Sequence, residues 1–132
     1  MRHVLEHFEK KTIDRLLPLV ESRLSSGGRL LVEVPNLANT LFGSYMAYGD
    51  YSHYTHFADK SLREAVQWNM KSCSVRCYNT FYRPFFSTNI TLSLTFIVGL
   101  AVELFSAFFT LPTYAYGNRV FGPRLVAIIT KK

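Results

Sequence analysis

The chain has 132 residues, the size of one domain, and its 48% hydrophobic content excludes a disordered polymer. The net charge of +6 suits phosphates, nucleic acid or an anionic membrane surface. Basic residues are not gathered into runs beyond Lys10-Lys11 and Lys131-Lys132, so a nucleic-acid partner is not expected.

Met1-Arg2-His3 is followed by Glu6, Glu9 and Lys10, which is no signal-peptide core. Ile13, Leu16, Leu17, Val20 and Leu24 form one apolar stripe at helical spacing. The stripe predicts a helix over 12–25, with Thr12 as N-cap, Asp14 in the first turn and Gly27-Gly28 as a left-handed stop. Pro18 lies inside it: either the helix bends there, or its regular part starts there. Residues 29–34 read as a strand ended by Pro35-Asn36, and its near-continuous apolar run suits a strand covered on both faces.

Residues 37–57 read as loop, with Gly43, Gly49, Asp50 and many Tyr. Asp59 is expected to cap a second helix, to about residue 70, with Leu62, Ala65, Val66 and Met70 on one side. Residues 74–82 read as a strand. Cys73 and Cys77 sit four apart, roughly 13 Å along a strand, too far for a disulfide. Both are expected to be reduced and structural, in a cytoplasmic protein.

Residues 84–118 carry one charge, Glu103, and a helix is expected over 89–110. The 21 residues Ile90 to Thr110 have the length of a membrane span, but a central Glu is costly in lipid. An amphipathic or hairpin-like insert is therefore expected, lying on a membrane surface or covering an apolar acceptor, or else packing on the sheet. Residues 124–130 form the final apolar strand, antiparallel to the one before it.

Four segments in order resemble class I S-adenosylmethionine-dependent methyltransferases. His3-Val4-Leu5-Glu6-His7-Phe8 is similar to the family's "hVLEHf" segment after its fourth strand. Leu24-Ser25-Ser26-Gly27-Gly28-Arg29-Leu30-Leu31 resembles its "LkpGGxll" turn into the fifth strand. Val34-Pro35-Asn36 resembles the "vPN" that closes that strand. Asp50-Tyr51-Ser52-His53, with Phe57 and Ser61-Leu62, is similar to its "DxxH…F…sL" approach to the next helix. The resemblance implies an α/β fold: the second half of a Rossmann-like methyltransferase sheet. Residues 1–132 would form a single partial methyltransferase domain, with 84–118 a hydrophobic helical insert before the last strand.

The resemblance implies S-adenosylmethionine as cofactor. It implies methyl transfer to a hydroxyl or carboxyl of a glycan, lipid-linked or small-metabolite acceptor. The family's glycine-rich cofactor turn and its ribose-binding acidic residue have no counterpart here. A truncated or split reading frame, a two-chain enzyme and a non-catalytic descendant all fit that departure. The 132-residue chain alone is therefore expected to be inactive and not to bind the cofactor tightly. Its partner would be a missing N-terminal half or a second copy. The rival reading is a membrane-associated interaction protein with a relic sheet.

His7 and His53 are the candidate bases for a hydroxyl nucleophile, because a neutral imidazole suits that role near pH 7. Surface or hydrogen-bonding roles fit both equally. Glu6, Asn36 and Tyr51 are candidates for the acceptor side, and His3 and Val4 for the cofactor side. Asn36 follows a strand end, where open α/β sheets bind ligands, but it also suits a turn. His3, Glu6 and His7 spell H-x-x-E-H, an inverted zinc-protease motif that needs a long helix. Some metal-dependent methyltransferases carry E-x-x-E-H at this place, but this chain has His3 at the first acidic position. No metal is expected from the sequence.

Overall fold

The computed structural model describes residues 1–39, 42–79, 97–102, 104–105 and 122–132. Helix α1 spans Lys10–Arg23 and strand β1 spans Arg29–Pro35. A short helix α2, Gly43–Tyr48, precedes helix α3, Asp59–Asn69. Strands β2, Cys73–Asn79, and β3, Arg124–Lys131, complete the set. The fold is α/β, as the sequence predicts, with the sheet order β1-β3-β2 and β3 antiparallel to both neighbours.

The register sets the core face. Leu30, Val32 and Val34 on β1 oppose Ile129, Ala127 and Leu125 on β3, and Val75 and Cys77 on β2 oppose Ile129 and Ala127. Alternate residues of a strand share a face, so these side chains form one apolar layer. Ile13 and Leu17 of α1 and Leu62 and Val66 of α3 bury into the same cluster, with Leu16, Val20 and Leu24 packed at its margin.

Four expectations change. First, α1 starts at Lys10, not Thr12, because the Glu9 carbonyl accepts from the Thr12 and Ile13 amides and turns the chain earlier. The helix runs through Pro18, which is exposed, so the carbonyl it leaves without an amide is open to water. Second, Asp59 lies in the first turn of α3; Ala58 is the N-cap, and its amide donates to Ser61 Oγ at 3.0 Å. Third, β1 is covered on one face only among the described residues, and Leu31 on the other face is 51% exposed. Fourth, residues 43–48 are helical rather than loop.

The turn from α1 to β1 needs its glycine. Gly27 has φ +73°, a conformation costly for other residues. Its amide donates to the Lys131 carbonyl at 3.0 Å, and Lys131 Nζ donates to the Glu21 and Leu24 carbonyls at 2.9 and 2.8 Å. The last strand thus caps the end of the first helix with a cation, which the helix dipole favours. Cys73 and Cys77 share β2 as free thiols, and burial pushes both up from their ordinary value. Raised thiols are poor nucleophiles, consistent with a packing role.

Of the expected insert, residues 97–102 and 104–105 are helical, with Ile97, Val98, Leu104 and Phe105 exposed; the rest of 84–118 lies outside the described residues. So do positions 80–82 of the expected 74–82 strand. Among the described residues, no helix is long and apolar enough to cross a membrane.

Candidate functional site

Met1 to His3 run parallel to β1: the Glu33 amide donates to the Met1 carbonyl and the His3 amide to the Glu33 carbonyl, both at 2.9 Å. His3 then takes φ +50°, a costly value for a residue with a Cβ. That reversal leads into a single 3-10 turn, Leu5–His7. The five-residue H-x-x-E-H motif therefore spans a backbone reversal at His3 and a three-residue tight turn, not the long helix a zinc protease requires.

The turn is laced to the segment before α3. The Tyr54 and Thr55 amides donate to the Glu6 carbonyl at 2.8 and 3.1 Å, and Thr55 Oγ1 donates to the Phe8 carbonyl at 2.7 Å. Asn36, at the end of β1, bridges to Phe57. These main-chain bonds bring His53 to His7, whose rings meet edge-to-face with centroids 4.9 Å apart. Glu6 is buried beneath them, its side chain 2% exposed.

The tautomers follow from the partners. His53 Nδ1 faces the Met46 and Ala47 carbonyls at 3.0 and 3.2 Å, which only accept, so Nδ1 carries the proton. His7 Nδ1 lies 3.2 Å from the Ser52 carbonyl and 2.9 Å from Ser52 Oγ. Ser52 Oγ donates its own proton to Asp50 Oδ1 at 2.6 Å, so it accepts from His7. In both neutral rings the lone pair is therefore left at Nε2. The Ser52 hydroxyl and amide hold the Asp50 carboxyl below its ordinary value. Nearby, burial pushes His56 down, helped by His53, and its ring packs edge-to-face on Tyr48.

Glu6, His7 and His53 offer donor atoms within 4.8 Å of one another, an arrangement that can hold a metal ion. The other predicted residues fall elsewhere. His3 turns its ring to Glu6 Oε1 at 3.0 Å and to Glu33 Oε1 at 3.6 Å. Val4 precedes the turn and is half-buried. Asn36 is fully buried; its Nδ2 donates to the Gly122 carbonyl at 2.7 Å and its Oδ1 accepts from the Ala38 amide at 3.1 Å. Those bonds build the turn after β1. Tyr51 is 99% exposed beside the cluster. The sequence gives Asp50 and Ser52 no separate role; their place in Asp50-Tyr51-Ser52-His53 is their one signal.

The described residues do not by themselves fit S-adenosylmethionine. Gly27 and Gly28 make the α1–β1 turn, while Gly43 and Gly49 bound α2. Added Cβ atoms at Gly43 and Gly49 would meet their own local backbone, not a ligand cradle.

No family model and no curated protein matches the chain. Among solved structures, it resembles a SAM-dependent methyltransferase from Archaeoglobus fulgidus, with a TM-score of 0.59 and 18% identity. The match covers 100% of this chain and 57% of that one. At that identity the likeness shows a shared fold, a partial methyltransferase-like one.

Proposed function

We propose that the protein belongs to an S-adenosylmethionine-dependent methylation system and forms its acceptor side. The acceptor is a hydroxyl or carboxyl on a glycan, lipid-linked or small-metabolite molecule. The observation that carries this reading is the His7–His53 pair, with both Nδ1 protons fixed and both Nε2 lone pairs left available. It stands at the carboxyl end of β1, the ligand-binding end of open α/β sheets. His7 Nε2 takes the proton of an acceptor hydroxyl, and His53 fixes the ring edge-on. Glu6 lies under the site and Tyr51 stands at its rim. His3 and Val4 border the cofactor side, whose glycine cradle comes from residues other than those described: a preceding half or a second copy.

The test is a transfer assay with tritiated S-adenosylmethionine on the protein made from its native gene, using extracted metabolites and lipids as acceptors. Label transfer is expected, lowered about 10²–10⁴-fold in His7→Ala. The 132-residue chain alone is expected to show no micromolar affinity for S-adenosylhomocysteine in calorimetry. Absence of transfer from the native gene product would overturn this reading.

One observation favours a second reading, a peripheral membrane-associated protein. Ile97, Val98, Leu104 and Phe105 are helical residues 56–66% exposed, which suits docking at a headgroup boundary. Liposome flotation is expected to retain the protein at low salt and to release it in a carbonate wash. Retention after the wash would show a span, and no flotation would remove the membrane reading.

A further inference from the structure

We propose that Tyr45, Tyr48, Tyr51 and Tyr54 form a binding surface for an uncharged saccharide beside the His7–His53 pair. This narrows the acceptor to a neutral glycan hydroxyl. Its role rests on the acceptor-side reading above, but the surface itself rests on exposure, charge and placement.

The first argument is exposure. The four side chains are 63–99% exposed, and all fall within residues 45–54. Apolar residues scattered singly on a surface need no partner, whereas a cluster of large aromatics marks a place that something covers. Tyrosine joins a stiff apolar ring to a polar tip, so it suits a ligand that is apolar on its face and polar at its edge. A sugar ring is such a ligand: C–H groups gather on one face and hydroxyls point outward. The C–H groups carry a slight positive charge and meet the negative face of an aromatic ring.

The second argument is charge. Residues 36–58 contain no Lys or Arg, although the chain has 15. Phosphates, nucleic acids and anionic lipid surfaces are held by those cations. The segment's one acidic residue is Asp50, which repels a carboxylate acceptor. Asp50 Oδ1 accepts from the Ser52 amide and hydroxyl at 2.9 and 2.6 Å. Its Oδ2 lies 3.8 Å from His53 Nε2, beyond hydrogen-bond reach, and is placed to accept from sugar hydroxyls.

The third argument is placement. The bonds from His53 Nδ1 to the Met46 and Ala47 carbonyls tie the 50–54 segment to the end of α2. Tyr45 and Tyr48 lie one turn apart on α2, and the Tyr48 ring is set against His56 with centroids 4.4 Å apart. Tyr51 stands between Asp50 and Ser52, the residue that holds His7, and the Tyr54 amide bonds to the Glu6 carbonyl. Successive tyrosines are three residues apart, so neighbouring Cα atoms lie within about 11 Å, a spacing that a short run of sugar rings bridges.

The test is saturation-transfer NMR on the full 132-residue chain without cofactor. The probes are the methyl glycosides of glucose, galactose, mannose and rhamnose, with glucuronic acid as the charged control. At least one glycoside is expected to bind with a Kd of about 0.1–10 mM, and glucuronic acid about 10-fold more weakly or worse. Tyr51→Ala and Tyr54→Ala are each expected to weaken binding about 10-fold or more, and Tyr51→Phe about 3-fold or less, because the ring is kept. Trp68→Ala removes an exposed aromatic of α3 that lies under Lys71, and is expected to change nothing. Circular dichroism shows that the variants stay folded. Three results would overturn the surface: no transfer to any glycoside, glucuronic acid binding as well as the best glycoside, or glycoside binding unchanged in both alanine variants. Flotation with phosphatidylglycerol vesicles that is lost in Tyr51→Ala would also overturn it, by assigning the rings to a membrane. Methyl transfer is not read in these measurements, so the acceptor-side reading and the saccharide surface fail separately.

Discussion

Replacing Leu17 with alanine is expected to lower the unfolding free energy by about 2–5 kcal/mol. Leu17 is 0% exposed and occupies the middle of the α1 stripe. It belongs to the cluster in which α1, α3 and the inner face of the sheet meet. Truncation removes the transfer energy of the lost carbons and leaves a cavity. The backbone cannot collapse into that cavity, because Lys131 ties the end of α1 to β3. A domain of this size commonly has about 5–15 kcal/mol of stability, so one such change removes a large share. Leu19 on the same helix is 64% exposed, and its alanine variant is expected to stay within about 0.5 kcal/mol of the parent. Urea denaturation followed by circular dichroism checks both. A Leu17→Ala loss below about 1 kcal/mol would mean that α1 is not docked on the sheet as described.

Replacing Glu6 with methionine is expected to act in the opposite direction, raising the stability of the protein by about 1–3 kcal/mol. The carboxyl group is buried with one oxygen unmatched, and methionine has a similar length without polar atoms. The bond lost from His3 costs little, since His3 is 37% exposed and its Nε2 remains 3.6 Å from Glu33. Denaturation midpoints measure the effect. A loss of stability in Glu6→Met would show that the carboxyl group holds the turn by itself.

Legibility in the sequence followed the range of the forces. The stripe from Ile13 to Leu24 and the apolar run from Leu125 to Ile129 report α1 and β3 because both patterns are written locally. Helix starts were less legible. Thr12 and Asp59 look like caps, yet the caps are Glu9 and Ala58, where backbone carbonyls and the Ser61 hydroxyl meet the first amides. The six residues of α2 are too few to show a stripe.

The sequence by itself determined the α/β class, the main strands, and the separate candidacies of Glu6, His7 and His53. Tertiary structure decided that these three converge, because the Tyr54 and Thr55 amides bond to the Glu6 carbonyl across a long stretch of chain. It also decided the tautomers: the carbonyls of Met46, Ala47 and Ser52 can only accept, and no sequence pattern states which carbonyl a ring will face. It gave His3 its place as the partner of Glu6, through a backbone reversal at φ +50°. Strand coverage was settled in the same way. An apolar run such as Leu30 to Val34 records burial preference, but which face is covered depends on where α1 and α3 pack.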